Sequence, residues 1–112
     1  MTLEERMDDL EFRMDLLYEG TEFTRFLYDC KITREQLNAI YEILDDVQNK
    51  IDKGERVSSS TYELEVLNIV DKRRLDYHFC ESFLKLLWEE RRYEDVFPAI
   101  YGESVKFKHL FK

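Results

Sequence analysis

His78 and Cys80, in the segment "DYHFCES", are the two side chains whose types and spacing come nearest to chemistry. An H-x-C pair can offer two ligands to zinc, or a base and a nucleophile to a thiol enzyme. The rest of the chain supports neither use. A structural zinc site needs a full tetrahedral set of ligands, and the other histidine and cysteine, His109 and Cys30, are isolated in sequence. A Cys–His nucleophile needs both groups facing one pocket, with a third group to orient the base. On a helix, residues two apart point in different directions. Paired acids can bind a metal or move protons, and adjacent pairs occur, among them Asp8-Asp9, Asp45-Asp46, Glu89-Glu90 and Glu94-Asp95. Adjacent acids on a helix splay apart, and none has the E-x-x-H spacing of a di-iron bundle. In a chain with 25 Asp and Glu residues they are expected as a solvated face. Three isolated glycines cannot build a phosphate-cradling loop. The residues thus predict no catalytic site, no cofactor and no metal, and the chain reads as a binding protein, not an enzyme.

The strongest pattern lies instead in "LEERMDDLEFRMDLLYE", residues 3–19. Leu3, Met7, Leu10, Met14 and Leu17 recur at alternating spacings of four and three, the seam of a coiled coil. With Met7 and Met14 at heptad position a, and Leu3, Leu10 and Leu17 at d, Arg6 and Arg13 fall at g and Glu4 and Glu11 at e. A parallel pair would set Arg6 opposite Glu11 of another copy. Phe12 and Leu16 lie off the seam, one turn apart, and can be buried against the rest of the chain. The seam predicts a homodimer or homotrimer. The alternative is a helix packed wholly inside one subunit.

Gly20 ends this helix. A short helix of about three turns follows, with Phe23, Phe26, Leu27 and Cys30 at helical spacing. "ITREQL" marks the next start: Thr33 as N-cap, Gln36 as its capping-box partner, Ile32 and Leu37 as a hydrophobic staple. The helix that follows carries Leu37, Ile40, Tyr41, Leu44, Val47 and Ile51 on one stripe and ends near Gly54. "ERVSSS", residues 55–60, is a polar loop, with Ser60 and Glu63 as a second capping box and a helix predicted over 61–73. Asp76 can cap a helix carrying Phe79, Phe83, Leu84, Leu87 and Trp88. "YEDVFPAIY" is a last short helix that Pro98 ends or kinks. The tail "VKFKHLF" alternates apolar and basic residues and predicts a short strand or an extended arm.

Composition agrees with long elements, since the 112 residues hold 3 glycines and 1 proline. No apolar run reaches membrane-spanning length and no secretory h-region is visible, so a cytoplasmic chain with two reduced, buried thiols is expected. The net charge of −8 opposes contact with nucleic-acid phosphates and anionic membranes. Residues 103–112 are locally basic, through Lys106, Lys108 and Lys112 against Glu103. With Phe107 and Phe111 between its lysines, this tail is either a partner contact or a segment folded back onto the acidic body.

The stretches "RMDDLEFRMDLLYE", "ITREQLNAIYEILDDV" and "LDYHFCESFLKLLWEERRYEDVF" resemble the YhaI-like family, small uncharacterised proteins of Bacillus and its relatives. The likeness spans most of residues 3–100 and rests on core and capping patterns, among them Leu75-Asp76-x-His78, Trp88-Glu89, Tyr93 and Val96-Phe97. It implies an all-helical, self-associating subunit of unknown biochemical role, and a leaning towards a trimer. The basic-aromatic tail after Gly102 and the serine loop depart from that pattern.

The sequence therefore predicts an all-α fold of five or six helices, with a helical oligomerising domain over 1–102 and a basic-aromatic tail over 103–112. The functional expectation is a small cytoplasmic module, a regulator or adaptor, that binds itself and another protein. The alternative is an acidic inhibitor that imitates nucleic acid, as some phage-encoded proteins do. It would require carboxylates arranged like phosphates along one face. An enzyme built on His78 and Cys80 would require a thiol of depressed pKa.

Overall fold

A chain with so few helix breakers folds into helices wherever its apolar residues keep a helical period. The computed structural model describes residues 2–111. Its elements are α1 (Leu3–Glu19), α2 (Glu22–Asp29), α3 (Arg34–Asp52), α4 (Ser59–Leu67), α5 (Tyr77–Glu89) and α6 (Val96–Tyr101), followed by a 3₁₀ turn over Lys108–Phe111. No strand occurs among the described residues.

Local chemistry sets most of the boundaries. Thr2 caps α1 by accepting the Glu5 N–H at 3.1 Å, and Gly20 closes the helix in the left-handed conformation, φ 61°. Thr21 and Thr24 form a capping box on α2, a signal hidden in sequence because threonine replaces the usual Glu or Gln. The expected box on α3 is present. The Gln36 N–H donates to Thr33 Oγ1 at 3.1 Å, and the Thr33 N–H donates to Gln36 Oε1 at 3.0 Å. Ile32 and Leu37, the two staple residues, are both buried. Asp76 caps α5 by accepting the His78 N–H at 2.9 Å.

α5 is the centre of the molecule, packing on α2, α4 and α6, while α3 packs on α4 and α6. It buries Phe79, Cys80, Phe83, Leu84 and Leu87 against Phe23 and Leu27 of α2, Tyr62 and Val66 of α4, and Val96 and Phe97 of α6. Phe23 meets Phe83 edge to face at 5.2 Å. Tyr62 donates its buried hydroxyl to the Cys80 carbonyl at 3.0 Å, tying α4 to α5.

Three sequence expectations are corrected. The cap of α4 is Ser58, which accepts the Thr61 N–H at 3.2 Å, and not Ser60. The Glu63 carboxylate that a Ser60 box would need is taken by the Tyr101 hydroxyl at 2.6 Å. The same helix ends at Leu67 instead of running to residue 73. Asp71 accepts the Arg73 N–H at 3.0 Å and so stabilises a turn in place of further helix. Gln36 and Arg74 donate to the Ile69 and Cys30 carbonyls, fastening this turn to α3 and to the end of α2. Pro98 neither ends nor kinks α6. It lies in the first turn, where a missing N–H costs no helical hydrogen bond.

The tail is also not a strand. Phe107, Leu110 and Phe111 turn inward at helical spacing, and the fold offers no sheet edge for a strand to join. Phe97 collects the rings of Trp88, Tyr101, Phe107 and Phe111 at centroid distances of 5.2–5.8 Å. Lys106 reaches the buried Glu81 at 3.3 Å, so one end of the basic tail lies on the acidic body.

Removing the α3 cap should have a measurable cost. Thr33→Ala is expected to lower unfolding stability by about 1 kcal/mol, read as a shift of the urea midpoint at unchanged slope. An unshifted midpoint would mean the box is not formed in solution.

Candidate functional site

α1 leans on the rest of the chain by one side only. Phe12 and Leu16 are buried, chiefly against α2. Arg34, at the start of α3, lies over the Phe12 ring at 5.0 Å and 3.9 Å from the Asp15 carboxylate. Arg13 lies over the Tyr28 ring at 4.5 Å. In heptad terms Phe12 and Leu16 occupy f and c, on the far side of the helix from a and d. The body therefore grips the back of α1, and the seam faces outward.

All five seam residues are exposed: Leu3, Met7, Leu10, Met14 and Leu17 each keep between 54 and 75% of their surface. Tyr18, beside Leu17, keeps 92%. Within the single chain, then, only Phe12 and Leu16 of this helix pack inside, and the five other apolar side chains do not. Residues 2–11 bury no side chain. The long dimension of the molecule is 46 Å, and the Cα radius of gyration is 14.8 Å, against about 13 Å for a compact chain of this length. Of the flanking charges, Arg6 and Glu11 are both exposed, and neither joins an ion pair among the described residues.

The other sequence candidates fall elsewhere. Phe107 is buried within the chain's own core and Phe111 is half-buried against Trp88 and Phe97. Lys106 pairs with Glu81, and Lys108 is exposed. His78 sits exposed at the start of α5, its Nδ1 3.2 Å from Asp76 Oδ1. The Asp76 carboxyl is held below its ordinary value, first by the His78 backbone N–H and then by the ring. Cys80 is fully buried, and the two side chains share no pocket. Burial, followed by the nearby Glu63 charge, pushes the Cys80 thiol from 9.0 up to about 12, the reverse of an activated nucleophile. Cys30 is half-buried, and its thiol is raised first by burial and then by Asp29.

Among the described residues no three His, Cys, Asp or Glu side chains gather as metal ligands. Nearly all of the paired acids are exposed, as a solvated face requires. The clefts on the surface are open hollows. One, of about 260 Å³, lies between α3 and the start of α4 and is lined by Lys50, Arg56, Ser58 and Glu65. Another, of about 360 Å³, lies beside Glu22, Glu89 and Glu90. No helix of the described residues is long and apolar enough to cross a membrane.

Sequence reasoning missed the polar cluster behind α5. Tyr101 donates to Glu63, and burial together with that carboxylate holds its phenol far above the ordinary range. Glu81, nearly buried, meets Lys106. No local pattern marks either pair, because the partners stand 38 and 25 residues apart. No family model, no curated protein and no solved structure matches this chain.

The buried groups set a pH limit. An unfolded Cys80 loses its proton near 9.0, while the folded thiol keeps it to about 12. Its contribution to stability is therefore complete below pH 9 and is lost as pH rises towards 12. Tyr93, raised from 10.0 to about 12 by burial and then by its bond to Asp45, acts in the same direction. The melting temperature should be level at neutral pH and fall from about pH 9 upward. Cys80 should resist thiol reagents at pH 8 until the chain is unfolded. A native Cys80 that labels quickly would contradict the buried geometry.

Proposed function

We propose that this chain is a small self-associating protein-interaction module, a regulator or adaptor that works by contact, and that the outer stripe of α1 is its contact surface. The observation that carries this reading is the exposure of five apolar side chains on one side of a helix held only from behind. Scattered exposed apolar residues are ordinary, but a continuous stripe at coiled-coil spacing is a binding surface. A helix with an unpacked N-terminal half is also marginal alone and gains support from a partner.

The energetics favour the apolar term. Fully burying a Leu or Met side chain stabilises by about 1.5–3 kcal/mol, whereas an exposed ion pair at the edge contributes about 0–1 kcal/mol. The seam thus supplies the affinity and its charges adjust the fit. The resemblance of residues 3–100 to the YhaI-like pattern supports the same reading, through the self-associating subunit that pattern implies.

Molar mass by light scattering on a sizing column, for wild type and Leu10→Glu, tests it. Wild type should run as two or three subunits. Leu10 is exposed in the single chain, so Leu10→Glu should give a folded monomer with unchanged helical circular dichroism. A monomeric wild type across the accessible concentrations, or a Leu10→Glu variant of unchanged mass, would overturn the reading.

A further inference from the structure

We infer that the second copy lies parallel to the first and in register along α1; this rests on the reading of the stripe as a self-association surface. The apolar residues alone do not choose a direction, since Leu and Met pack acceptably either way. The flanks do. One edge of the stripe carries Arg6 and Arg13, and the other carries Glu4, Glu11 and Tyr18.

In a parallel pair, each g residue faces the following e residue of the other helix. Arg6 then meets Glu11 of the second copy, and the contact repeats by symmetry. Both groups are exposed and without an ion-pair partner inside the described chain. Arg13, the next g residue, meets Tyr18 of the second copy. Its guanidinium already lies over its own Tyr28 ring at 4.5 Å, and Tyr18 is 92% exposed. A parallel neighbour therefore brings Tyr18 to a cation already held in place, a favourable cation–π arrangement. An antiparallel pair sets like edges together. In the fullest such overlap Leu3 lies opposite Met14, Arg6 lies against Arg13, and Glu4 lies against Glu11. Like charges at these positions repel, so this direction is opposed at both edges.

The body does not obstruct the parallel arrangement. It holds α1 through Phe12 and Leu16, on the side away from the seam, and leaves the five seam residues uncovered.

Disulfide trapping decides the direction. In a Cys30→Ser background, with Cys80 buried, the full-length variants Leu3→Cys, Leu17→Cys and Met14→Cys are oxidised and run on non-reducing gels. Parallel register predicts that Leu3→Cys and Leu17→Cys each link to their own copies. Mixing Leu3→Cys with Met14→Cys should then give no enriched cross-product. Efficient linking of Leu3→Cys with Met14→Cys, and none of either end residue with itself, would overturn the orientation and leave self-association standing. No linking in any variant, with an assembled mass by light scattering, would overturn the seam register. No linking with a monomeric mass would overturn the underlying reading as well. As a second measurement, Arg6→Glu should weaken assembly by about two- to fivefold, and Glu11→Arg in the same chain should restore it. An antiparallel pair would be tightened by Arg6→Glu, since that change removes a like-charge contact.

Discussion

Everything on the outer side of α1 depends on how its inner side is held. Phe12 and Leu16 stand one turn apart and anchor the helix to α2, and Arg34 covers the Phe12 ring from α3. This small clamp fixes the rotation of α1 about its own axis. Were the helix turned by a third of a revolution, part of the Leu and Met stripe would meet the body and the acids at b and e would take its place outside. The clamp leaves the first half of the helix without buried support. A helix this exposed forms in water with little to spare. The same geometry that presents the stripe thus makes the helix depend on whatever covers it.

The far end of the molecule is held by aromatic rings. Phe97, fully buried, touches Trp88, Tyr101, Phe107 and Phe111, so α5, α6 and the tail meet at one side chain. The tail adds a charge to this packing. Glu81 would be costly to bury alone, because a carboxylate taken from water without a partner loses far more than one hydrogen bond returns. Lys106 supplies the partner while keeping more than half of its own side chain in water. The aromatic contacts bring the lysine to the carboxylate, and the ion pair in turn fixes where the tail can lie.

These two ends differ in how far the sequence reveals them. The Gly20 end of α1, the Thr33–Gln36 box of α3 and the Asp76 cap of α5 are written in residues two to four positions apart, and each is present where its pattern places it. The all-α class and the number of helices follow from apolar period and from the rarity of breakers. What could not be read is what depends on distant partners. Glu63 reads as half of a capping box until Tyr101 claims it. The alternating tail reads as a strand until Phe97 and Trp88 gather its rings. Glu81 reads as one more surface acid in a chain with 25 of them. The seam is an intermediate case. Its period is plain, but a period says only that one side of a helix is apolar. Which side faces the body is a tertiary fact, decided by Phe12 and Leu16.

Charge sets the remaining constraint on assembly. Each copy carries a net −8, and two such bodies repel. The repulsion is spread over many surface acids and is screened beyond about 8 Å at physiological ionic strength. Apolar burial along the proposed seam would act at contact and is not screened, so that short-range term would decide whether copies meet. The charge distribution would then decide how they meet. Arg6 stands on one edge of the stripe and Glu11 on the other, and only a parallel neighbour sets each against its opposite. On the proposed reading, the stripe of α1 would be where a second copy is drawn in against this repulsion, and the placement of the two exposed charges would give that contact its direction.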